Sequence, residues 1–327
     1  MKTDSTEFAS SGPILDLSAN LRYVVITPAR NEATSIEQTI KAVVAQTLRP
    51  VRWVIVSDGS TDGTDQIVAK YTAGHEWIEL VRMPERTERD FAGKVNAFNA
   101  GYARIAGLAY NVIGNLDADI TMDEEYFNFL LKKFSENPRL GVAGTPFREG
   151  QRQYDYRFSS IEHVSGACQL FRRECFEDIG GYVPITIGGI DLVAVLTARM
   201  KGWQTRSFPE KCCMHHRKMG TAKRSTLAAS FKGGQGDYML GTHPVWEIFR
   251  CIYQLSAPPV LLGGSLRLAG FFWGLVTGVE KVVPDDLVKF RRAEQMRRLR
   301  DFIKRVITLG LSNPQATELL PNKGRQP

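Results

Sequence analysis

Two carboxylates one residue apart stand directly after an apolar run in the first half of the chain. The run is Tyr110 to Ile113, and the carboxylates are Asp117 and Asp119, separated by Ala118. If the two-residue alternation of a strand continues through them, both side chains can face one divalent cation. A hard cation such as Mg²⁺ or Mn²⁺ takes oxygen ligands and can share them with phosphate. The triplet is a candidate metal-phosphate site, although aspartates at strand ends more often form turns or N-caps.

Two earlier polar segments also follow apolar runs. Asp58 comes after the run 53–56 and before a glycine-containing turn, where its carboxylate can accept hydrogen bonds from a base or a ribose. It could instead cap the next helix, but the polar residues of 61–64 lie closer to the start of that helix. Arg30 and Glu32 follow the first apolar run and could form a solvated loop or face a ligand.

These residues lie at the ends of a regular alternation of strand and helix patterns. Apolar β-branched runs and helical spacing predict strands at 23–26, 53–56, 78–81 and 110–116 and helices at 35–46, 65–71 and 94–106. The alternation is typical of an α/β domain with a mostly parallel sheet flanked by helices. In open sheets of this kind ligands bind beyond the carboxyl ends of the strands, where Asp58 and Asp117 fall.

Length and composition are compatible with a soluble enzyme that has one large domain and an appendage. The chain has 327 residues, of which 43% are hydrophobic and 24% charged. We predict a flexible N-terminal segment at 1–20, the α/β domain at 21–240 and a helical extension at 241–327. Five cysteines, two of them adjacent, argue against a disulfide framework. The first twenty residues contain no apolar core of a signal peptide, so a cytoplasmic location is expected.

Positive charge is concentrated near the C-terminus. The formal net charge is +7, and basic residues are dense between 289 and 305. No zinc-finger spacing or aromatic-basic motif accompanies them, so nucleic acid is not an expected partner. The apolar stretch 260–276 contains Arg267 and reaches only the lower limit for crossing a bilayer. Helices lying at an anionic membrane surface are therefore predicted, with an ordinary helical subdomain as the alternative.

Four motifs occur in the order and spacing of family 2 glycosyltransferases with the GT-A fold. They are Ile26 to Glu32, Val56 to Thr64, Gly93 to Gly101 and Asp117 to Asp119. The resemblance continues through 168–176, 180–182 and 191–203, and covers roughly residues 21–220. It implies a GT-A fold, which is Rossmann-like with a mostly parallel central sheet, and a C-terminal helical extension. It also implies a hexosyltransferase-type enzyme.

The resemblance implies roles for individual residues. Those expected to contact the nucleotide sugar are Pro28, Ala29, Arg30, Glu32, Asp58, Lys94, Asp117 and Ala118. Asp119 is expected to be the principal ligand of a Mn²⁺ or Mg²⁺ cofactor, with Asp117 beside it. In many GT-A enzymes a later histidine completes the metal site, which implies His215, with His216 as the alternative. Arg217 and Lys218 would then meet phosphate.

The same histidines lie in a cysteine-rich run, residues 212–216, that could suggest zinc. In an extended segment Cys213 and His215 share one face, while the other three residues take the opposite face. No second Cys or His pair at a zinc-binding interval occurs elsewhere in the sequence. The spacing therefore does not favour zinc.

The general base is expected in the second half of the domain. Inverting members of the family use a carboxylate there, usually within a Glu-Asp pair preceding a helix. Here Ile190 replaces the first acid and Asp191 remains. Alignment on the segment 201–203 puts Asp191 at the base position. An N-cap role for the helix 192–200 is compatible with this, and Glu162 is the alternative base.

The resemblance thus implies an inverting, metal-dependent transfer from a nucleoside-diphosphate sugar, with a UDP-sugar favoured. The expected acceptor is the hydroxyl of a glycan or of a lipid-linked precursor of cell-surface polysaccharide. One alternative is a sugar-phosphate nucleotidyltransferase, but that class carries a glycine-rich Arg/Lys loop that the segment 27–30 does not provide. The other is a catalytically silent nucleotide-binding scaffold subunit, for which Ile190 is the only support.

Overall fold

The computed structural model describes residues 21–85, 91–150, 152–153, 160–216, 226–254 and 262–312. The strands in this part of the chain are β1 (Tyr23–Ala29), β2 (Arg52–Asp58), β3 (Ile78–Met83), β4 (Val112–Leu116), β5 (Ile120–Thr121), β6 (Leu140–Gly144), β7 (Phe147–Glu149), β8 (Arg152–Gln153), β9 (Cys168–Arg172), β10 (Gln204–Ser207) and β11 (Cys213–His215). The helices are α1 (Ile36–Val44), α2 (Thr64–Thr72), α3 (Ala92–Arg104), α4 (Tyr126–Glu136), α5 (Arg173–Asp178), α6 (Ile190–Met200), α7 (Thr226–Met239), α8 (Pro244–Gln254), α9 (Leu262–Thr277) and α10 (Asp285–Ser312). The predicted N-terminal segment 1–20 and the basic pair 217–218 lie outside the described residues.

A seven-stranded sheet forms the centre of the first part of the chain. Its order is β10-β6-β9-β4-β1-β2-β3, and β9 alone runs antiparallel to its neighbours β4 and β6. The inner strands β1, β2 and β4 are buried along nearly their whole length, and most of their residues are apolar. The predicted α/β architecture with a mostly parallel sheet is confirmed.

The sheet opens where β1 and β4 separate. β1 stays paired with β2 as far as Ala29, but its pairing with β4 ends at Ile26 and Asn115. Pro28 has no backbone N–H, and it lies beyond the last residue of β1 that pairs with β4. Strand order reverses direction at β1, which is the position where open α/β sheets form a ligand crevice.

A second, four-stranded sheet carries the segment after β4. β4 ends at Leu116, so the strand alternation expected to continue through Asp117 and Asp119 stops before them. The chain then enters β5, which pairs antiparallel with β11, and His215 lies opposite Ile120. This pairing joins two segments that are almost one hundred residues apart in sequence.

The chain divides into two compact units. The first comprises 1–184 and 190–217, and the second comprises 185–189 and 218–327. By contacts, α7 belongs with the helices that follow it, although the sequence-based boundary at 240 groups it with the first domain. That boundary stays a prediction. The expected C-terminal helical region is confirmed by α8, α9 and α10.

In the second unit, α7 and α9 cross at very close range. A Cβ added to Gly234 would lie 1.8 Å from the carbonyl oxygen of Arg267, and one added to Gly270 would lie 2.0 Å from that of Phe231. Backbone contact of this kind requires glycine. Beside the crossing, the buried Asp237 accepts hydrogen bonds from Arg250 and Arg267. Of the helices described, none has the length and apolar character needed to cross a membrane.

Candidate functional site

The loops that follow β1 and β2 are tied together by hydrogen bonds. Asn31 has a positive φ of 56°, which asparagine tolerates better than most residues, and its backbone N–H donates to Ser60 Oγ at 3.1 Å. Its side-chain oxygen accepts from the Thr61 N–H at 2.8 Å. Asp62 Oδ2 accepts from the Ala33 N–H at 2.9 Å. These bonds fix both loops at the carboxyl edge of the sheet.

The partly buried Arg30 and the buried Asp58 form an ion pair at this edge. Arg30 Nη1 lies 3.9 Å from Asp58 Oδ2, and the two side chains are 17% and 6% exposed. Glu32 follows in the same loop, where its N–H donates to Thr64 Oγ1 at 2.9 Å. The pair presents a cationic donor and an anionic acceptor next to each other, which suits a planar base that carries both kinds of group.

Lys94 lies in the first turn of α3, directly beside the carboxylate triplet. Its Nζ donates to Asp117 Oδ1 at 2.5 Å. Burial lowers the pKa of Lys94, but the charges of Asp117, Asp191 and Asp119 more than offset this and raise the pKa above its ordinary value. The charge of one lysine is therefore stabilised by three carboxylates that come from two distant segments of the chain.

Asp119 and His215 meet on the other side of the triplet. His215 Nε2 lies 3.4 Å from Asp119 Oδ2, and both side chains are 9% exposed. The other ring nitrogen, Nδ1, lies 3.1 Å from Glu149 Oε1. Burial, and next to it the charge of Asp117, raises the pKa of Asp119. His216 turns elsewhere, with Nε2 at 2.8 Å from Thr121 Oγ1.

This arrangement fits a divalent cation. Two ligands of one octahedral ion, each at about 2.1 Å from it, are separated by about 3 Å, which is close to the separation of Asp119 Oδ2 and His215 Nε2. The surplus of carboxylates and the raised pKa of Asp119 also mark a place where added positive charge would be stabilising. In the described part of the chain, no three His, Cys, Asp or Glu side chains form a complete metal-binding cluster. An ion held here would need further ligands from a phosphate or water.

Asp191, whose charge also raises the pKa of Lys94, lies at the start of α6. It lies inside the first turn of the helix, which begins one residue earlier at Ile190. The N-cap role considered alongside the base role therefore does not hold, and Asp191 Oδ2 instead accepts a hydrogen bond from the Gly166 N–H at 3.0 Å. Glu162, the alternative base, accepts from Ser160 Oγ at 3.3 Å, and its carbonyl accepts from Arg199.

The structure thus brings most of the predicted residues to one edge of the sheet. Pro28 and Ala29 end β1, and the carbonyl of Ala118 accepts the buried Thr39 hydroxyl at 2.8 Å, which ties the triplet to α1. Glu149 was not among the predicted residues. Its sequence neighbours resemble an ordinary polar turn, and it reaches His215 only because β7 pairs with β11.

Comparisons with known proteins place the first part of the chain in a family. Residues 24–184 match the family model described as Glycosyl transferase family 2. The chain is 24% identical over 203 residues to a poly-beta-1,6-N-acetyl-D-glucosamine synthase of Staphylococcus aureus (strain COL), covering 56% of this chain and 47% of that protein. It is 25% identical over 170 residues to the synthase of the same name from Staphylococcus epidermidis, covering 46% and 39%. The chain spans about half the length, or less, of these curated relatives.

Solved structures support the fold. The mannosyltransferase PcManGT from Pyrobaculum calidifontis, in complex with GDP-Man and Mn²⁺, superposes with a TM-score of 0.51 at 20% identity, covering 90% of this chain and 81% of that one. TarS 1–349 of S. aureus, in complex with UDP-GlcNAc, has a TM-score of 0.51 at 15% identity, covering 77% and 72%. At these identities the likeness establishes the GT-A-like fold alone.

Proposed function

Residues 24–184 form a glycosyl transferase family 2 domain, and from this premise we propose that the protein transfers a sugar from a nucleoside diphosphate to an acceptor hydroxyl. The observation that carries the proposal is the contact of Lys94 with Asp117 and of His215 with Asp119, while the charges of Asp119 and Asp191 also act on Lys94. These groups lie at the strand ends where ligands bind in open α/β sheets.

The donor nucleoside binds over the loops after β1 and β2. Asp58 accepts hydrogen bonds from the base or ribose, and Arg30 donates to the acceptors of the base. Pro28, Ala29 and Glu32 supply the backbone of this pocket, which is held in place by the hydrogen bonds between the two loops. We favour a uracil base, because its imide N–H and its carbonyls suit an acid beside a guanidinium.

The diphosphate lies between the start of α3 and the carboxylate triplet. Lys94 and the positive end of the α3 helix attract its oxygens. Asp119 and His215 would hold a Mn²⁺ or Mg²⁺ ion, with Asp117 beside them. When bound, such an ion acts as a Lewis acid that stabilises the charge of the departing diphosphate.

Asp191 is the proposed general base. The oxygen of the acceptor hydroxyl bonds to the anomeric carbon of the donor sugar while the bond from that carbon to the diphosphate oxygen breaks. Asp191 takes the hydroxyl proton, and the nucleoside diphosphate leaves with the electron pair of the broken bond. A single displacement of this kind inverts the configuration at the anomeric carbon.

The acceptor proposed is a glycan or a lipid-linked precursor of surface polysaccharide. The support is that curated relatives are named as synthases of a polymer of N-acetylglucosamine. UDP-N-acetylglucosamine is accordingly the first donor to test, since a fold neighbour was solved with it. GDP-mannose is the second.

The experiment is a transfer assay with these two donors and short N-acetylglucosamine oligomers. Wild-type protein should form product, Asp191→Asn should lose at least about a hundredfold in kcat, and both should bind UDP with Mn²⁺ equally well. If the Asp191→Asn variant transfers sugar at the wild-type rate, Asp191 is not the general base. Nucleotide binding without any transfer by wild-type protein would favour the scaffold alternative.

We also propose that the second unit attaches to an anionic membrane surface. The C-terminal part of α10 exposes Phe302, Ile303, Val306 and Ile307, each 44–54% exposed, on adjacent turns. The basic residues Arg300, Lys304 and Arg305 lie among them and are exposed as well. An apolar face bordered by basic side chains is typical of helices that lie in the lipid interface.

Vesicle sedimentation tests this attachment. A Val306→Glu, Ile307→Glu double variant should bind vesicles containing phosphatidylglycerol at least about tenfold more weakly than wild type, because it removes apolar area and adds repulsion. Val183→Glu, at a similarly exposed valine in the first unit, is the matched control and should bind like wild type. If intact protein does not sediment with the vesicles, the attachment is ruled out.

A further inference from the structure

Two buried carboxamides stand opposite each other in the centre of the seven-stranded sheet. Asn115 on β4 and Gln169 on β9 are register partners, and they are 3% and 0% exposed. Burying a polar side chain costs stability unless it is hydrogen-bonded, whereas an apolar residue at the centre of a sheet carries no such cost. The hydrogen bonds of this pair therefore indicate what the two side chains are for.

Asn115 holds the residue that donates to Asp191. Its Nδ2 donates to the carbonyl oxygen of Gly166 at 2.8 Å. The N–H of Gly166 in turn donates to Asp191 Oδ2 at 3.0 Å. The approach is tight: a Cβ at residue 166 would lie 3.0 Å from the Cβ of Asp191 and 3.3 Å from Oδ2, so a larger residue there would press against the Asp191 side chain.

Gln169, on the neighbouring strand β9, hydrogen-bonds to the backbone of Val164 and of Asp191. Its Nε2 donates to the carbonyl of Val164 at 2.9 Å and, more weakly, to the backbone carbonyl of Asp191 at 3.5 Å. Its Oε1 accepts from the hydroxyl of Tyr182 at 2.7 Å. Because the oxygen is engaged by Tyr182, the NH₂ group must point toward Val164 and Asp191.

The Tyr182 ring is itself held by a cluster of aromatic side chains. Its centroid lies 4.9 Å from that of Phe98, 5.6 Å from that of Phe171 and 5.8 Å from that of Phe176, in edge-to-face arrangements. Through Gln169 this aromatic cluster is connected to the backbone of Asp191, while Asn115 is connected separately, through Gly166, to the Asp191 carboxylate.

We propose that Asn115 and Gln169 are positioning residues that fix the Asp191 carboxylate for proton transfer, with Tyr182 holding the Gln169 amide in register. The inference rests on the proposed function, because it takes Asp191 as the base. A displacement of a catalytic carboxylate by about 1 Å can lower the rate about a hundredfold, so the hydrogen bonds that hold Asp191 in place can have a large effect on kcat.

Two variants test the proposal by steady-state kinetics. Gln169→Leu removes both amide donors at similar volume, and it should lower kcat at least about tenfold while the KM for the donor and the Kd for UDP with Mn²⁺ change less than about twofold. Tyr182→Phe removes only the hydroxyl and should lower kcat in the same way but less. Should Gln169→Leu fail to fold, Tyr182→Phe carries the test.

The matched control is Tyr126→Phe. Tyr126 is also a buried tyrosine, whose hydroxyl lies 2.9 Å from Thr145 Oγ1. Its loss should lower the melting temperature about as much as that of Tyr182 but leave kcat unchanged. Equal kcat losses in the two Tyr→Phe variants, or unchanged kcat in Gln169→Leu, would overturn the proposal.

A double variant separates this inference from the proposed function. In an Asp191→Asn background, Gln169→Leu should have no further effect on the residual rate, because the group that it positions is already gone. A full additional loss would show that Gln169 acts elsewhere. If Asp191→Asn transfers normally, the base assignment itself fails; if it is inactive and Gln169→Leu is fully active, only the positioning role fails.

Discussion

Glu149 provides a prediction whose size can be worked from the site. Its carboxylate lies 3.1 Å from Nδ1 of His215, and the two side chains are 19% and 9% exposed. When Nδ1–H donates to Glu149, the lone pair of Nε2 is left on the side of Asp119, where a cation would bind. Removing partners of this kind lowers metal affinity about 10–100-fold, or about 1.4–2.7 kcal/mol.

Glu149→Gln should fall at the lower end of this range. The glutamine oxygen can still accept the Nδ1–H, but a hydrogen bond without the charge has about half the strength. We expect about tenfold weaker Mn²⁺ binding for Glu149→Gln and nearer a hundredfold for Glu149→Ala. Electron paramagnetic resonance of free Mn²⁺, titrated against protein in the presence of UDP, measures both.

The matched control is Glu79→Gln. Glu79 is 21% exposed and is paired with Arg52 and Arg104 on the edge strand β3. The Glu79→Gln variant should bind Mn²⁺ as tightly as the wild-type protein. Wild-type affinity in both Glu149 variants, with unchanged melting temperatures, would refute the role of Glu149 in orienting His215.

Three further outcomes are expected. Gly234→Ala should destabilise the second unit by about 1–3 kcal/mol or more in thermal unfolding, because its Cβ meets a backbone carbonyl of α9; Gly236→Ala, in the same helix with open space around it, should be neutral or slightly stabilising. Burial and Asp117 raise the pKa of Asp119, so protons compete with Mn²⁺ at a higher pH than for an ordinary aspartate; Asp117→Asn should move the loss of Mn²⁺ binding to lower pH in a calorimetric pH series. Lys94→Met should raise the Kd for UDP about ten- to a hundredfold, measured by calorimetry, since a charge-assisted hydrogen bond to phosphate is lost.

Local sequence patterns were sufficient to predict the strands β1, β2 and β4, whose carboxyl ends carry the candidate site. Apolar runs fix β1, β2 and β4, and a parallel sheet then places the residues after Ala29, Asp58 and Leu116 along one edge. The polar residues at these ends could be recognised because turns and ligands use the same few side chains. The family resemblance added the order of the motifs, which no single triplet provides.

The contacts that complete the site depend on pairing between distant segments. His215 reaches Asp119 through the pairing of β11 with β5, and Glu149 reaches His215 through the pairing of β7 with β11. Strands of two or three residues with ordinary composition give no periodic signal, so their pairing partners cannot be predicted from the sequence. Asp191 illustrates the limits of helix boundaries, because a helix that starts one or two residues early turns an expected cap into a residue of the first turn.

The buried carboxamides could be recognised only after the register of β4 and β9 was known. In the sequence, Asn115 and Gln169 are polar residues within mostly apolar segments, so each segment looks like a strand with an irregular pattern. In the sheet they are opposite each other and lead to the same carboxylate. A polar residue at a buried strand position costs stability, so it marks a position that can serve function instead of packing.

Calorimetric titration with UDP-N-acetylglucosamine, in Mn²⁺ and in EDTA, tests the central claim most directly. The account predicts that wild-type protein binds the donor at least about tenfold more tightly with Mn²⁺, because an ion held by Asp119 and His215 would attract the diphosphate. Asp119→Asn should abolish the difference between the two conditions. Equal affinity of the wild-type protein in Mn²⁺ and in EDTA would contradict a metal-dependent donor site at Asp119.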